Sequence, residues 1–258
     1  MSSTINSFPP GTFAPNPQRA SVTTMTLAQA KLEASLFLRH GEQQLLSLVI
    51  PIIMMVALVK LPLMDLDNPI QVVFPLTLAI AAMSAGFTGQ AIAVAFDRRY
   101  GALKRIGASG VPPWTIITGK ALAVVFVVAV QTLILGAIGL ALGWRAPLSH
   151  VLLAIVVLFL GVAAFTALGL LVGGTLGSEL VLALANLIWF VFVGVASFAV
   201  VRSGGDIPSW LNVVPSVALA DGLTEAFSGS TPLLHVAILI AWFLGAAAAA
   251  TKLFKFTA

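Results

Sequence analysis

The sequence predicts an all-α polytopic membrane protein with six transmembrane helices. An amphipathic N-terminal interfacial helix precedes them, a short cytoplasmic helix joins helices 2 and 3, and short helices occupy the last outer connection. Composition, run length and charge placement predict this. Of the 258 residues, 59% are hydrophobic and only 9% charged, with mean hydropathy +1.07. A soluble domain carries about 25% charged residues. Several apolar runs reach the roughly 20 residues that cross a bilayer core. The Lys and Arg residues sort by side. With a cytoplasmic N-terminus, the inside holds Arg19, Lys31, Arg39, Arg98, Arg99, Lys104, Arg105, Lys120, Lys252 and Lys255, and the outside only Lys60, Arg145 and Arg202. Ten against three satisfies the positive-inside rule and places both termini in the cytoplasm. No Cys is present, which excludes disulfides, thiolate metal sites and Cys nucleophiles.

Residues 1–24 are polar and Pro-rich (Pro9, Pro10, Pro15, Pro17) and read as a disordered cytoplasmic tail. They lack the apolar core of a secretory signal, so the first membrane helix is expected in the mature protein. Residues 25–258 form one permease-sized membrane domain. From Met25 to His40, Met25, Ala28, Leu32 and Leu36 recur at helical spacing, and Thr26 with Gln29 has capping-box spacing. This reads as a helix on the membrane surface or as an extension of the next helix.

Six apolar segments follow: Gln43–Leu61 with Pro51, Pro69–Phe96 with Pro75, Trp114–Leu142, Leu148–Leu171, Glu179–Val201 and Leu233–Thr251. The two prolines are positioned to kink their helices, which membrane bundles tolerate. Asp65, Asp67 and Asn68 mark a short outer loop, Gly143–Pro147 a tight outer turn and Gly173–Ser178 a tight inner turn. The longest outer connection, Arg202–Thr231, carries Asp206, Asp221 and Glu225. It also places Val213, Val217, Ala220, Leu223 and Phe227 on one helical face, between Gly204-Gly205 and Gly229. It reads as one or two short helices that either dip into the bilayer or lie on its surface.

Several chemistries find no support. Gly119-Lys120 is followed by Ala121, and Trp114 stands where a phosphate-binding loop needs its first glycine, so there is no P-loop. His40, His150 and His235 lie near segment ends without ligand spacing, so no metal site is expected. Gly107-Ala108-Ser109-Gly110 resembles the Gly-x-Ser-Gly of rhomboid intramembrane proteases. Ser109, however, sits in a basic loop with no mid-membrane histidine, and it reads as a turn residue. No Asp, Glu, Lys or Arg stands near the centre of a segment, which argues against an ion-coupled carrier. The neutral polar residues inside segments are Ser84, Thr88, Gln90, Gln131, Thr166, Asn186 and Ser197. They serve as interhelical glue or, for Gln131 and Asn186 with Thr88 and Ser84, line a substrate route. Gly169 with Gly173, and Gly136, Gly139 and Gly143, have the spacing of close helix contact.

The segment Arg98–Trp114 is the most charged connection. Tyr100, Leu103 and Ile106, three apart, share a face of a short helix, with Arg98, Arg99, Lys104 and Arg105 around it. Gly107 and Gly110 end it, Pro112 and Pro113 start the next helix, and Trp114 suits the interface. An apolar stripe rimmed by cations fits a partner groove with an acidic edge, or anchors on anionic lipid.

This segment, Arg98-Arg99-Tyr100-Gly101-Ala102-Leu103-Lys104-Arg105-Ile106-Gly107-Ala108-Ser109-Gly110-Val111-Pro112-Pro113-Trp114, resembles the stretch after the second span of type-2 ABC exporter permeases. It departs from their pattern at Ala102 and at Ser109-Gly110-Val111. Val214–Leu223 is similar to the Pro-rich outer segment before their last span. The resemblance covers Met25 to the C-terminus. It implies a bacterial inner-membrane permease that dimerises with an identical or paralogous copy and holds no catalytic residue, metal or cofactor of its own. ATP and Mg would sit on a separate ATP-binding cassette subunit. That subunit would dock through a coupling helix formed by Arg98, Arg99, Tyr100, Leu103, Lys104, Arg105 and Ile106. The implied substrate is amphipathic or lipid-like, as in drug- and lipid-exporting members, moved outward. No nucleic-acid partner is implied.

Overall fold

The structure is a computed structural model, and it describes residues 20–61, 68–202 and 208–254. Residues 1–19 of the expected tail, the Asp65 and Asp67 loop, Gly204-Gly205, Asp206 and Lys255 lie outside the described residues, as does the side chain of Arg202, while residues 22–24 of that tail belong to α1.

Nine helices and one 3₁₀ turn make up the described residues: α1 (Val22–Arg39), α2 (residues 41–60), α3 (Pro69–Arg99), α4 (Ala102–Ala108), α5 (Pro113–Ala141), α6 (Leu148–Thr175), α7 (Ser178–Arg202), the 3₁₀ turn Ser209–Val213, α8 (Pro215–Ser228) and α9 (Leu233–Leu253). Five of them, α3, α5, α6, α7 and α9, are long and apolar enough to cross a membrane. The expected first span is shorter: its apolar helical part runs only Ser47–Lys60. The cause is local. A π-helical turn, Leu45–Val49, ends two residues before Pro51, with the Ile50 N–H reaching back to Leu45 O. Its N-terminal side carries Gln43, Gln44 and Ser47 in place of apolar residues.

α3 is the core of the bundle. Its most apolar window is 89% buried, against 22% for α7 and α9, and α2, α5, α6, α7 and α8 all pack on it. It continues through Pro75, and a second π-helical turn, Ser84–Gly89, interrupts it lower down. There α6 crosses closely. A Cβ on Gly169 would stand 2.7 Å from Phe87 O, and one on Gly173 would collide with Ala91 O. The Gly169–Gly173 expectation of close contact is met on α3. Gly139 abuts Phe74, whereas nothing stands within contact of Gly136.

Arg98 and Arg99 at the foot of α3 meet Leu176 and Glu179, whereas Gln71 at the opposite end of α3 reaches Arg145 O. At that opposite end Phe74, Trp144 and Phe227 form an aromatic cluster, with Phe74–Trp144 centroids 4.3 Å apart and Trp144–Phe227 5.0 Å. The last connection does contain short helices. α8 is wedged among α3, α6, α7 and α9, and its Val217, Ala220 and Leu223 are fully buried. Val213 departs from the expected face: it sits in the 3₁₀ turn and is exposed. Gly229 closes α8 at φ 90°, the left-handed conformation that glycine adopts without a Cβ penalty.

α1 starts earlier than expected. Its N-cap is Ser21, whose Oγ accepts from Thr24 N–H, so the helix begins before the Thr26–Gln29 pair. Leu32 and Leu36 of its apolar stripe are exposed, while Thr26, Gln29 and Ala34 are buried against α5. A polar face turned inward and leucines turned outward suit a helix bathed in lipid on its outer side.

Candidate functional site

The site is built at the end of α3. Three consecutive residues, Asp97, Arg98 and Arg99, reach three different directions, and the short basic helix α4 follows directly.

Asp97 Oδ2 accepts from Lys120 Nζ on α5 at 2.6 Å, and the same ammonium bonds Glu33 Oε1 on α1 at 2.7 Å. Gln29 Nε2 donates to Glu33 Oε1 at 2.7 Å. Lys120 is 2% exposed, Glu33 12% and Asp97 33%. One cation therefore neutralises two carboxylates where water is largely absent. Removing one partner of such a set is far more costly than its assembly is favourable.

Arg98 is buried, not outward. Its Nη1 donates to Gly173 O and to Leu176 O, each at 2.8 Å, which satisfies carbonyls at the C-terminal end of α6. A guanidinium suits the negative end of a helix, and a hydrogen bond to a charged group contributes roughly 1.5–3 kcal/mol. Arg99 Nη1 bonds Ser178 Oγ at 3.3 Å and Glu179 Oε1 at 3.2 Å at the start of α7, in an exposed pair. The three side chains thus tie the foot of α3 to α1, α5, α6 and α7.

Tyr100 caps α3, its ring stacked on Phe96 with centroids 6.0 Å apart. Gly101, at φ 68°, then reverses the chain into α4. This turn breaks the expected stripe. Tyr100 stands outside the helix that holds Leu103 and Ile106, and Arg98 and Arg99 belong to α3. Leu103 is 3% exposed and seats α4, which packs back on α3. Ile106 is half-buried, and Lys104 and Arg105 are exposed, with Arg105 Nη1 donating to Tyr100 O at 2.9 Å. The outward surface is therefore Tyr100, Lys104, Arg105 and the free edge of Ile106.

Of the residues expected to line a route, three gather. Gln131 Nε2 donates to Ser47 Oγ at 2.9 Å, Ser47 Oγ donates to Gln43 O at 2.7 Å, and Gln43 Nε2 reaches Ser84 O at a long 3.5 Å. Both π-helical turns contribute to this buried cluster, and Thr88 lies in the same turn as Ser84. The hydroxyls of Ser84 and Thr88 and Oε1 of Gln131 are buried without a hydrogen bond. Asn186 does not join: it is half-buried and donates to Leu182 O one turn back in its own helix. Separately, a cavity of about 530 Å³ opens among α5, α6 and α9, walled by Trp114, Val125, Leu170 and Phe243.

The histidines and Ser109 show no catalytic arrangement. Ser109 Oγ donates to Ile106 O at 2.6 Å on an exposed turn. His150 Nδ1 lies 3.1 Å from Phe227 O, and His235 Nδ1 lies 3.3 Å from Glu225 Oε2, a pairing across α8 and α9 that sequence spacing did not disclose. No group of three metal-ligating side chains exists among the described residues.

The sequence did not single out Glu33 and Asp97, and it did not join Gln29 or Lys120 to them. Their signal was available: Lys60 and Lys120 stand inside apolar segments, and Lys120 lies well away from either end of its segment. A charge there calls for a partner.

No curated protein matched the chain on comparison. A family match spans residues 23–252, nearly all of the described helices, and is to the ABC-2 family transporter protein group. The chain, a multi-pass membrane protein and a permease subunit by kind, belongs to the ABC-2 transporter family.

Proposed function

We propose that the chain is the membrane-spanning half of an ABC exporter, driven by ATP bound with Mg and hydrolysed on a separate ATP-binding cassette subunit. In this reading α2 completes a set of six spans, both termini are cytoplasmic, and the protein resides in a bacterial inner membrane. The basic end faces the cytoplasm, and the outward surface of α4 docks the partner. Lys104 and Arg105 orient the contact, and Tyr100 and Ile106 supply its apolar part. A second permease copy, identical or paralogous, completes the assembly. The substrate is amphipathic or lipid-like and moves outward past the polar cluster of Gln131, Ser84 and Thr88.

The observation that carries this reading is the foot of α3. A displacement of α4 would reach α5 with α1 through Asp97 and α6 through Arg98, with the exposed Arg99–Glu179 pair adding only a weak tie to α7. Contiguous buried contacts of this kind supply a physical route between a docked motor and the bundle.

The test is Ile106→Asp beside Leu103→Asp in the complex with the ATP-binding subunit. Ile106→Asp is expected to abolish co-purification and substrate-stimulated ATP hydrolysis while the permease stays folded. Leu103→Asp is expected to unseat α4 as well, lowering thermal stability. Normal coupled hydrolysis in the Ile106→Asp complex would refute the docking surface.

A further inference from the structure

A groove of about 620 Å³ runs between α1 and α5 at the basic end. Its floor is apolar and open: Leu27 is 58% exposed, Leu38 43%, Leu122 40% and Phe126 53%. Its rim is cationic. Lys31 and Arg39 both line it, with Ser35 between them at one-turn intervals on the same helical face. Eight residues of helix separate the two charges, about 12 Å.

Neither cation engages a carboxylate among the described residues. Glu33, two residues from Lys31, is held by Lys120, and the side chain of Glu42, three residues from Arg39, lies outside the described residues. The polar face of α1 is thus consumed by the protein. What remains outward is leucine flanked by two cations, beside a helix long and apolar enough to cross the membrane.

We infer that this groove binds an anionic phospholipid of the leaflet at the basic end, its phosphate held by Lys31 and Arg39 and its acyl chains laid on Leu27, Leu38, Leu122 and Phe126. A zwitterionic lipid fits the floor but offers no net charge to the rim. Two cations acting on one anionic headgroup favour it over a neutral one by roughly 30-fold. This site is separate from the α4 surface and rests on membrane placement alone, not on ATP coupling.

The test is native mass spectrometry of the detergent-purified full chain, titrated with phosphatidylglycerol or with phosphatidylcholine. The expected result is a first-lipid affinity at least tenfold higher for phosphatidylglycerol, reduced to within twofold in Lys31→Gln/Arg39→Gln. The charge-conserving Lys31→Arg/Arg39→Lys protein should keep the preference. Equal affinities for the two lipids would overturn the inference. So would a preference that survives the double glutamine variant and disappears in Lys104→Gln/Arg105→Gln. A Ser35→Cys variant tests the other occupant, since the chain has no native cysteine. Efficient disulfide linkage between two copies through Cys at 35 would show a second chain in the groove and would equally overturn the lipid assignment. None of these readouts involves ATP, so failure here leaves the transport reading standing, and the converse holds.

Discussion

Lys120 is a buried cation that joins two carboxylates from two other helices. Its ammonium serves two carboxylates at 2.6 and 2.7 Å while 2% exposed. Lys120→Met leaves Asp97 and Glu33 facing each other without a cation, and the expected cost is about 3 kcal/mol. It would be read as a lower thermal midpoint of the detergent-solubilised protein. Arg99→Gln is the matched contrast. It removes a pair whose side chains are 45% and 84% exposed, and the expected change is within about 0.5 kcal/mol. Equal effects of the two substitutions would contradict the burial argument. A second residue gives a pH dependence. On α8, outside the five long spans, burial raises the Asp221 carboxyl to about 6, with Glu225 adding to the shift and His235 opposing it. The folded state then holds a proton that the unfolded chain releases. Stability attributable to Asp221 is present below about pH 4 and falls as pH rises towards 6. Asp221→Asn should flatten that decline in a pH series of thermal midpoints.

Helices differ in how openly the chain declares them. The five long spans follow from uninterrupted apolar runs, and their limits agree with the runs to within a few residues. α2 was less legible, because a π-helical turn ending two residues before Pro51 shortens its apolar part, and such turns leave no mark in composition. α4 was legible as a helix and misread as a stripe. Gly101 takes a left-handed φ, which puts Tyr100 in a cap and turns Leu103 inward. Periodicity alone cannot tell a face that docks outward from one that seats the helix. The same limit applies to α1, whose leucine periodicity was plain but whose inward face proved to be Thr26, Gln29 and Ala34. Asp97, Glu33 and Lys120 are 23 or more residues apart from their partners in most pairings, so no local pattern could join them. At this scale the close crossing of α6 over α3 is directly testable. Gly173→Leu should unfold or expel α6, at a cost beyond the 1–3 kcal/mol typical of overpacking, because its neighbour is backbone. Gly194→Ala, with nothing within contact, should be silent in the same thermal assay.

Taken whole, the molecule is asymmetric from end to end. One end closes on an aromatic cluster and the wedged helix α8, and the other gathers the cations and the foot of α3. Membership in the ABC-2 family accounts for the helices, and the proposed docking of a motor subunit accounts for the basic end. If that account holds, the α4 surface touches the ATP-binding subunit in the intact complex. The absence of native cysteine allows a single probe to be placed at will. Lys104→Cys and Arg145→Cys permeases, each labelled with a thiol-directed photo-crosslinker and assembled with the ATP-binding subunit, would be irradiated and resolved by mass. The account predicts a permease–ATPase adduct from position 104 and none from position 145. An adduct from 145 alone, or none from 104 in a complex that still hydrolyses ATP on demand, would contradict it.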